Sequence, residues 1–260
     1  MVAVQVMAGH FNCIGFPLET HEGFEKFMEL AANSGTPIET VSGFYIHWAP
    51  GEGVEAWVQA NPQRQLIGCN PHFSGQGRLR VGVGRKVLDP HAPLDGAIYG
   101  WAEPKPLSEA GQSPGMYPLQ VNLPDFSVTA AALPMPSVVT MQIAAFAHQL
   151  LTFASDDEFA QPSNPLSKLA TEAFIPSGLF RPDGQPVNPP RSEAMLTGHV
   201  LAASLLKNPV TQIEFYHLHI QSLSGTFDVV VAPKLVTGTA PVVGGVVAGT
   251  FWLSGRIVES

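Results

Sequence analysis

Fourteen of the chain's 24 prolines fall in two stretches, seven between Pro104 and Pro136 and seven between Pro162 and Pro190. Each proline removes a backbone donor and fixes φ, so neither stretch can supply a central strand or an unbroken helix. The chain is thereby cut into β-rich and apolar pieces joined by ordered connections. With only 13% charged residues against 45% hydrophobic ones, it also has too little charge to decorate the surfaces of a helical bundle.

Before the first proline-rich stretch, Val2 to Met7 reads as a strand. Thr20 then offers an N-cap to a helix running to about Asn33 and closed by Gly35. Phe24, Phe27, Met28 and Ala31 recur at helical spacing and define its buried face. From Ile38 to Pro104 the pattern turns to short strands. Val41 to Trp48 and Val54 to Gln59 flank the turn Pro50-Gly-Glu-Gly53, a hairpin, and Leu66 to Cys69, Leu79 to Leu88 and Ala97 to Ala102 continue the series.

Between the proline-rich stretches, Ser137 to Ala154 runs eighteen residues without a charge. Its length and the polar residues Gln142, His148 and Gln149 argue for a helix buried in the core over a membrane span. A second short helical piece is expected around Leu166 to Phe174. The last stretch reads as strands at Leu196 to Leu206, Glu214 to Ser222, Thr226 to Ala232 and Val242 to Ile257, with glycines at its bends.

The fold class expected is therefore α+β, predominantly antiparallel β. Two β-rich units, the C-terminal one an OB-like small barrel, are joined by a central apolar helix. The domains expected are an N-terminal α+β unit over 1–104, proline-rich connections with the central helix over 105–192, and a barrel-like unit over 193–260. A faint internal likeness, Phe44-Tyr45-Ile46-His47 to Phe215-Tyr216-His217-Leu218, hints at duplication without establishing it.

The net charge of −8 and the absence of any Lys/Arg cluster argue against nucleic acid and against an anionic membrane surface. From Arg191 onward, four basic residues balance four acidic ones, so the C-terminal strands lack the basic groove of a single-strand binder. The only cysteines, Cys13 and Cys69, are too few for a disulfide framework and suit a reducing, cytoplasmic setting. No secretory signal is expected, since the first basic residue is Lys26.

Standard catalytic signatures are missing. His21-Glu22-Gly23-Phe24-Glu25 opens like a zincin helix but ends in Glu where a second His ligand is required. Two sets of residues carry the functional expectations. Phe44, Tyr45, Trp48, Trp57 and Trp101, with Tyr99, could line a pocket for a flat or sugar-like ligand, although such residues also fill small β cores. Glu55 and Glu103 are the carboxylates nearest to them.

His217 and His219, two apart on a strand, share one face and could hold a divalent metal such as zinc, completed by Asp228, His199 or His47. The competing reading makes them the solvent side of an amphipathic strand. His47 and His72 read as hydrogen-bonded structure, His91 as a loop residue and His148 as a satisfied core histidine. The leading expectation is a non-catalytic binding or scaffold protein for a small molecule or protein partner, without cofactor and self-associating. The alternative is a metal-dependent hydrolase using His217 and His219.

Overall fold

A computed structural model describes residues 9–89, 91–105, 115–130, 132–180, 184–185, 187 and 191–259. The strand expected over Val2 to Met7 lies outside them. Helix α1 (His21–Ser34) forms where expected. Thr20 Oγ1 accepts from the Gly23 N–H at 3.1 Å, and the Gly35 N–H closes the last turn on the Ala31 carbonyl at 2.9 Å. Phe24, Phe27 and Ala31 are its buried residues, while Met28 is half-buried at the margin of the same cluster.

Four antiparallel strands follow in a meander: β1 (Thr36–Thr40), β2 (Gly43–Gly51), β3 (Val54–Ala60) and β4 (Leu66–Phe73). A ten-stranded sheet takes the rest. Its strands are β5 (Leu79–Asp89), β6 (Ala92–Ala102), β7 (Pro118–Asn122), β8 (Ser137–Phe153), β9 (Ala173–Pro176), β10 (Glu193–Lys207), β11 (Glu214–Ser222), β12 (Gly225–Val231), β13 (Val236–Gly238) and β14 (Val246–Glu259). Two one-turn helices, α2 (Phe126–Thr129) and α3 (Asp156–Phe159), sit in the connections. The protein is thus β-rich with mixed, mainly antiparallel pairing, and no helix among the described residues is long and apolar enough to cross a membrane.

The expected central helix is strand β8. It pairs with β14 from Val246↔Phe153 to Glu259↔Thr140, and with β5 and β12 along its other edge. A strand covered on both faces carries a continuous apolar run, and periodicity cannot tell such a run from a buried helix. At 17 residues β8 also exceeds the usual strand, so its length points to a helix. Val138, Val139, Thr140 and Thr152, which are β-branched, favoured the strand. The helical piece expected over Leu166 to Phe174 is instead a pair of turns at Asn164 and Leu166, leading into β9.

The C-terminal strands do not close among themselves. β8 stands between β12 and β14 and pairs with both, and β14, β10 and β11 complete a circuit of five strands. At the other end of β8 and β14, strands β5, β6 and β7 form a second circuit, joined at β14 by the single parallel pair Ser254↔Asn122. Pairings thus run across the boundary expected at 192. The two segments compared for duplication lie in different sheets, on β2 and β11.

The main apolar core is built from β5 to β12 and β14. A second cluster joins α1 and the turn around Phe11 to the four-stranded sheet and to Phe146, Phe215 and Val230 of the larger one. Each large side chain buried there contributes roughly 1.5–3 kcal/mol of transfer free energy.

Candidate functional site

The site lies on the second face of the four-stranded sheet. All seven residues of β3 are buried, so both of its faces are covered. Val54, Ala56 and Val58 join the α1 cluster, and the alternate residues Glu55, Trp57 and Gln59 turn toward the ten-stranded sheet. β4 repeats the division, with Cys69 and Phe73 in the α1 cluster and Asn70 and His72 in the seam between sheets. In β2, Ile46 and Trp48 face α1, whereas Tyr45 and His47 join the seam. The register places Glu55 opposite His72, Trp57 opposite Asn70 and His47 opposite Trp57.

Charge is concentrated at one end of this seam. Glu55, 4% exposed, accepts the Trp57 indole N–H at 2.9 Å and lies 3.3 Å from His47 Nε2. Arg256 of β14 reaches between two carboxylates, with Nη1 3.6 Å from Glu55 and Nε 3.4 Å from buried Asp125. Its guanidinium is 5.1 Å from the Trp57 ring centre, and the His47 ring stacks on the same indole at 4.2 Å. Burial alone would push the Glu55 carboxyl up. The adjacent His47 ring, the Trp57 indole N–H and the Arg256 guanidinium outweigh that and hold it down at about 2. Farther along, Gln59 and Asn70 both donate to Asp95, at 2.6 and 2.8 Å, and Tyr45 donates to the Leu94 carbonyl.

From the seam a hydrogen-bonded chain runs to the far side of β12. His72 is fully buried, which pushes its pKa down and keeps the ring neutral. Gln142 spends its two N–H groups on the Phe73 carbonyl and Asp228 Oδ2, so its oxygen must accept from His72 Nε2 at 2.8 Å. That fixes the tautomer, and His72 Nδ1 accepts from the Ser254 hydroxyl at 2.9 Å. Asp228 in turn receives His217 Nε2 at 3.0 Å and the backbone N–H groups of Gln76 and Gly77. Burial would raise the Asp228 pKa, but these donors, His217 foremost, lower it.

The sequence-derived candidates are therefore distributed over several places. Tyr45 and Trp57 meet in the seam, with ring centres 6.0 Å apart. Trp48 lies on the opposite face against Phe16 and Phe27, Phe44 carries Arg64 over its ring, and Tyr99 and Trp101 belong to β6. These aromatics do not line one surface. Glu55 is in the seam, and Glu103 pairs with Arg80 at 3.4 Å, away from it.

His217, His219 and Asp228 do come together, with His219 Nδ1 3.7 Å from Asp228 Oδ1. Neither histidine is on an open face; their side chains are 19% and 17% exposed, because β11 is covered on both sides. His199 is held instead by Asp156 and Glu172, and His47 by Glu55. Among the described residues no group of three or more His, Cys, Asp and Glu side chains is disposed to hold a metal ion. His148 is not a core histidine. It projects from β8 with its Nε2 3.1 Å from that of His10, whose pKa burial lowers to about 3.

Arg256, Asp125 and Asp95 had no sequence signal, since each is brought to the seam from a distant element, and Gln142 stood out only as a polar residue in an apolar run. The alternation of Glu55, Trp57 and Gln59 was the visible trace. Comparison of the chain with protein-family models, with curated proteins and with solved structures found no match.

Proposed function

We propose that the protein binds a small polar molecule at the open end of the seam, with His47, Glu55, Asp125 and Arg256 as its contacts. One observation carries this reading. Arg256 stands 3.4–3.6 Å from two buried carboxylates, whereas a charge-assisted N–H···O bond closes to roughly 2.7–2.9 Å. Burying such charges costs free energy that only close pairing restores, and the looseness leaves donors and acceptors for a guest. Solvent also reaches Arg256 and His47, whose side chains are 34% and 26% exposed.

The complementary ligand carries an anionic group for the guanidinium and an ammonium or hydroxyl donor for Glu55 and Asp125. Amino acids, hydroxy acids and sugar acids are the classes to test. Thermal unfolding and tryptophan fluorescence should show one class giving a saturable stabilisation, worth about 2.7 kcal/mol at a hundredfold excess over Kd. The effect should vanish in Arg256→Gln and Glu55→Gln. Stabilisation that survives both substitutions, or none from any of these classes, would overturn the reading.

We also propose a reducing, cytoplasmic setting, supported by two buried free thiols, and partners other than nucleic acid or membrane. Self-association is supported by exposed Leu201 and Leu205 on β10, with Val242 and Val243 exposed before β14.

A further inference from the structure

We propose that His217, oriented by Asp228, is a general base whose Nδ1 draws a proton from water or from a substrate hydroxyl, without a metal. Asp228 is fully buried and all four of its acceptor positions are used. Oδ1 accepts from the Gln76 N–H at 3.1 Å and from His217 at 3.0 Å, and Oδ2 from the Gly77 N–H and Gln142 Nε2, each at 2.8 Å. A carboxylate so placed only accepts, so the ring proton of a neutral His217 sits on Nε2 and the lone pair on Nδ1. That nitrogen makes no hydrogen bond with a described residue, and the side chain is 19% exposed.

The surroundings are built around this carboxylate. A Cβ on Gly75 would overlap the Asp228 carboxyl group, and one on Gly77 would come 3.0 Å from Oδ2, so only glycines let the loop lay its N–H groups there. The Phe73 ring, 4.4 Å from the His217 ring, limits its rotation. His219 Nδ1, buried and without a hydrogen bond, lies 3.7 Å from Asp228 Oδ1. An oriented base backed by a buried anion is the arrangement that activates an oxygen nucleophile, because the anion stabilises the imidazolium formed in the step.

With an ester, Nδ1 takes a proton from water as the water oxygen bonds to the acyl carbon. The carbon–oxygen bond to the leaving group then breaks, and the proton passes from Nδ1 to the departing oxygen. The products are an acid and an alcohol.

The test uses the full, untagged chain with p-nitrophenyl acetate as probe and nitrogen NMR of the histidines. Hydrolysis should saturate, resist a chelator, and fall by about 10²–10⁴-fold in His217→Gln, while exposed His21→Gln leaves it unchanged. Asp228 is a positioning residue, and Asp228→Asn tests that role separately. Where the new amide turns its nitrogen to His217, the imidazole must accept, so the His217 proton should move from Nε2 to Nδ1 and the rate should collapse. A His217→Gln rate equal to the original overturns the proposal. So does a ring proton on Nδ1 in the unsubstituted protein, no hydrolysis beyond that of free histidine, or activity abolished by a chelator, the last result favouring a metal site on these residues.

Discussion

The two faces of the four-stranded sheet are made by alternate residues of the same strands, yet they obey different rules. On the α1 side, Val54, Ala56, Val58, Cys69 and Phe73 meet Phe24, Phe27 and Ala31, and stability there follows from area removed from water. On the seam side, buried Glu55 and Asp125 face the half-buried Arg256 at distances too long for tight pairing. The apolar face holds the sheet in place. The polar face costs stability that the apolar face offsets, and it sets residues in a geometry that folding alone does not demand. Substitutions on the two faces should therefore differ in kind.

The largest effect should come from the apolar face. Phe27 is 5% exposed and packs edge-on against Phe11, with Phe16 and Trp48 also around it. Phe27→Ala should cost about 3–5 kcal/mol, read from urea unfolding, with little dependence on pH. A loss below about 1 kcal/mol would mean that α1 is not integral to the sheet.

The seam should answer to pH. Glu55 has a folded pKa of about 2 against an unfolded value near 4.5. Its contribution is therefore fully present above about pH 4.5 and is lost as pH falls toward 2, a change of about 3 kcal/mol as an order of magnitude. Glu55→Gln should flatten the unfolding free energy across that window, whereas Phe27→Ala should lower the curve without changing its slope. An unaltered slope in Glu55→Gln would break the distinction between the faces.

The difference between faces also governs what the sequence disclosed. The helix with its Thr20 cap, the β2–β3 hairpin and most strands of the larger sheet were legible, because period and turn residues are local signals. β8 was not, since a strand packed on both sides loses its alternation. Likewise, alternation placed His217 and His219 together but left them facing solvent. The β11 face they share is covered by Phe73 and the Gly75–Gly77 loop, which come from far away in the chain. Arg256 and Asp125 could not be assigned to Glu55 from spacing at all, as 201 and 70 positions separate them from it.

A smaller effect belongs to the edge of the apolar face. Thr20→Ala removes the acceptor for the Gly23 N–H at the start of α1 and should cost about 1 kcal/mol. Thr20→Asn should restore most of it. Equal losses in both variants would show that packing, and not the cap, sets the helix start.

The smallest expected effect lies outside both faces and carries the opposite sign to Glu55. His199 on β10 places Nε2 2.8 Å from Asp156 and Nδ1 3.1 Å from Glu172, tying α3 and the segment before β9 to the sheet. Burial would lower its pKa, but the hydrogen bonds and charges of the two carboxylates together raise it. A raised folded pKa means that the clamp contributes fully below the unfolded value of about 6.5 and is lost as pH rises through the folded one. The groups are largely exposed, so global stability should barely move, while local opening should respond. Protection of the amides between Asp156 and Glu172, taken relative to their intrinsic exchange rates, should fall as pH rises above neutral, and this fall should be absent in His199→Gln. If exchange there tracks the acid transition of Glu55 instead, this segment opens with the seam, and the two faces are less independent than their packing indicates.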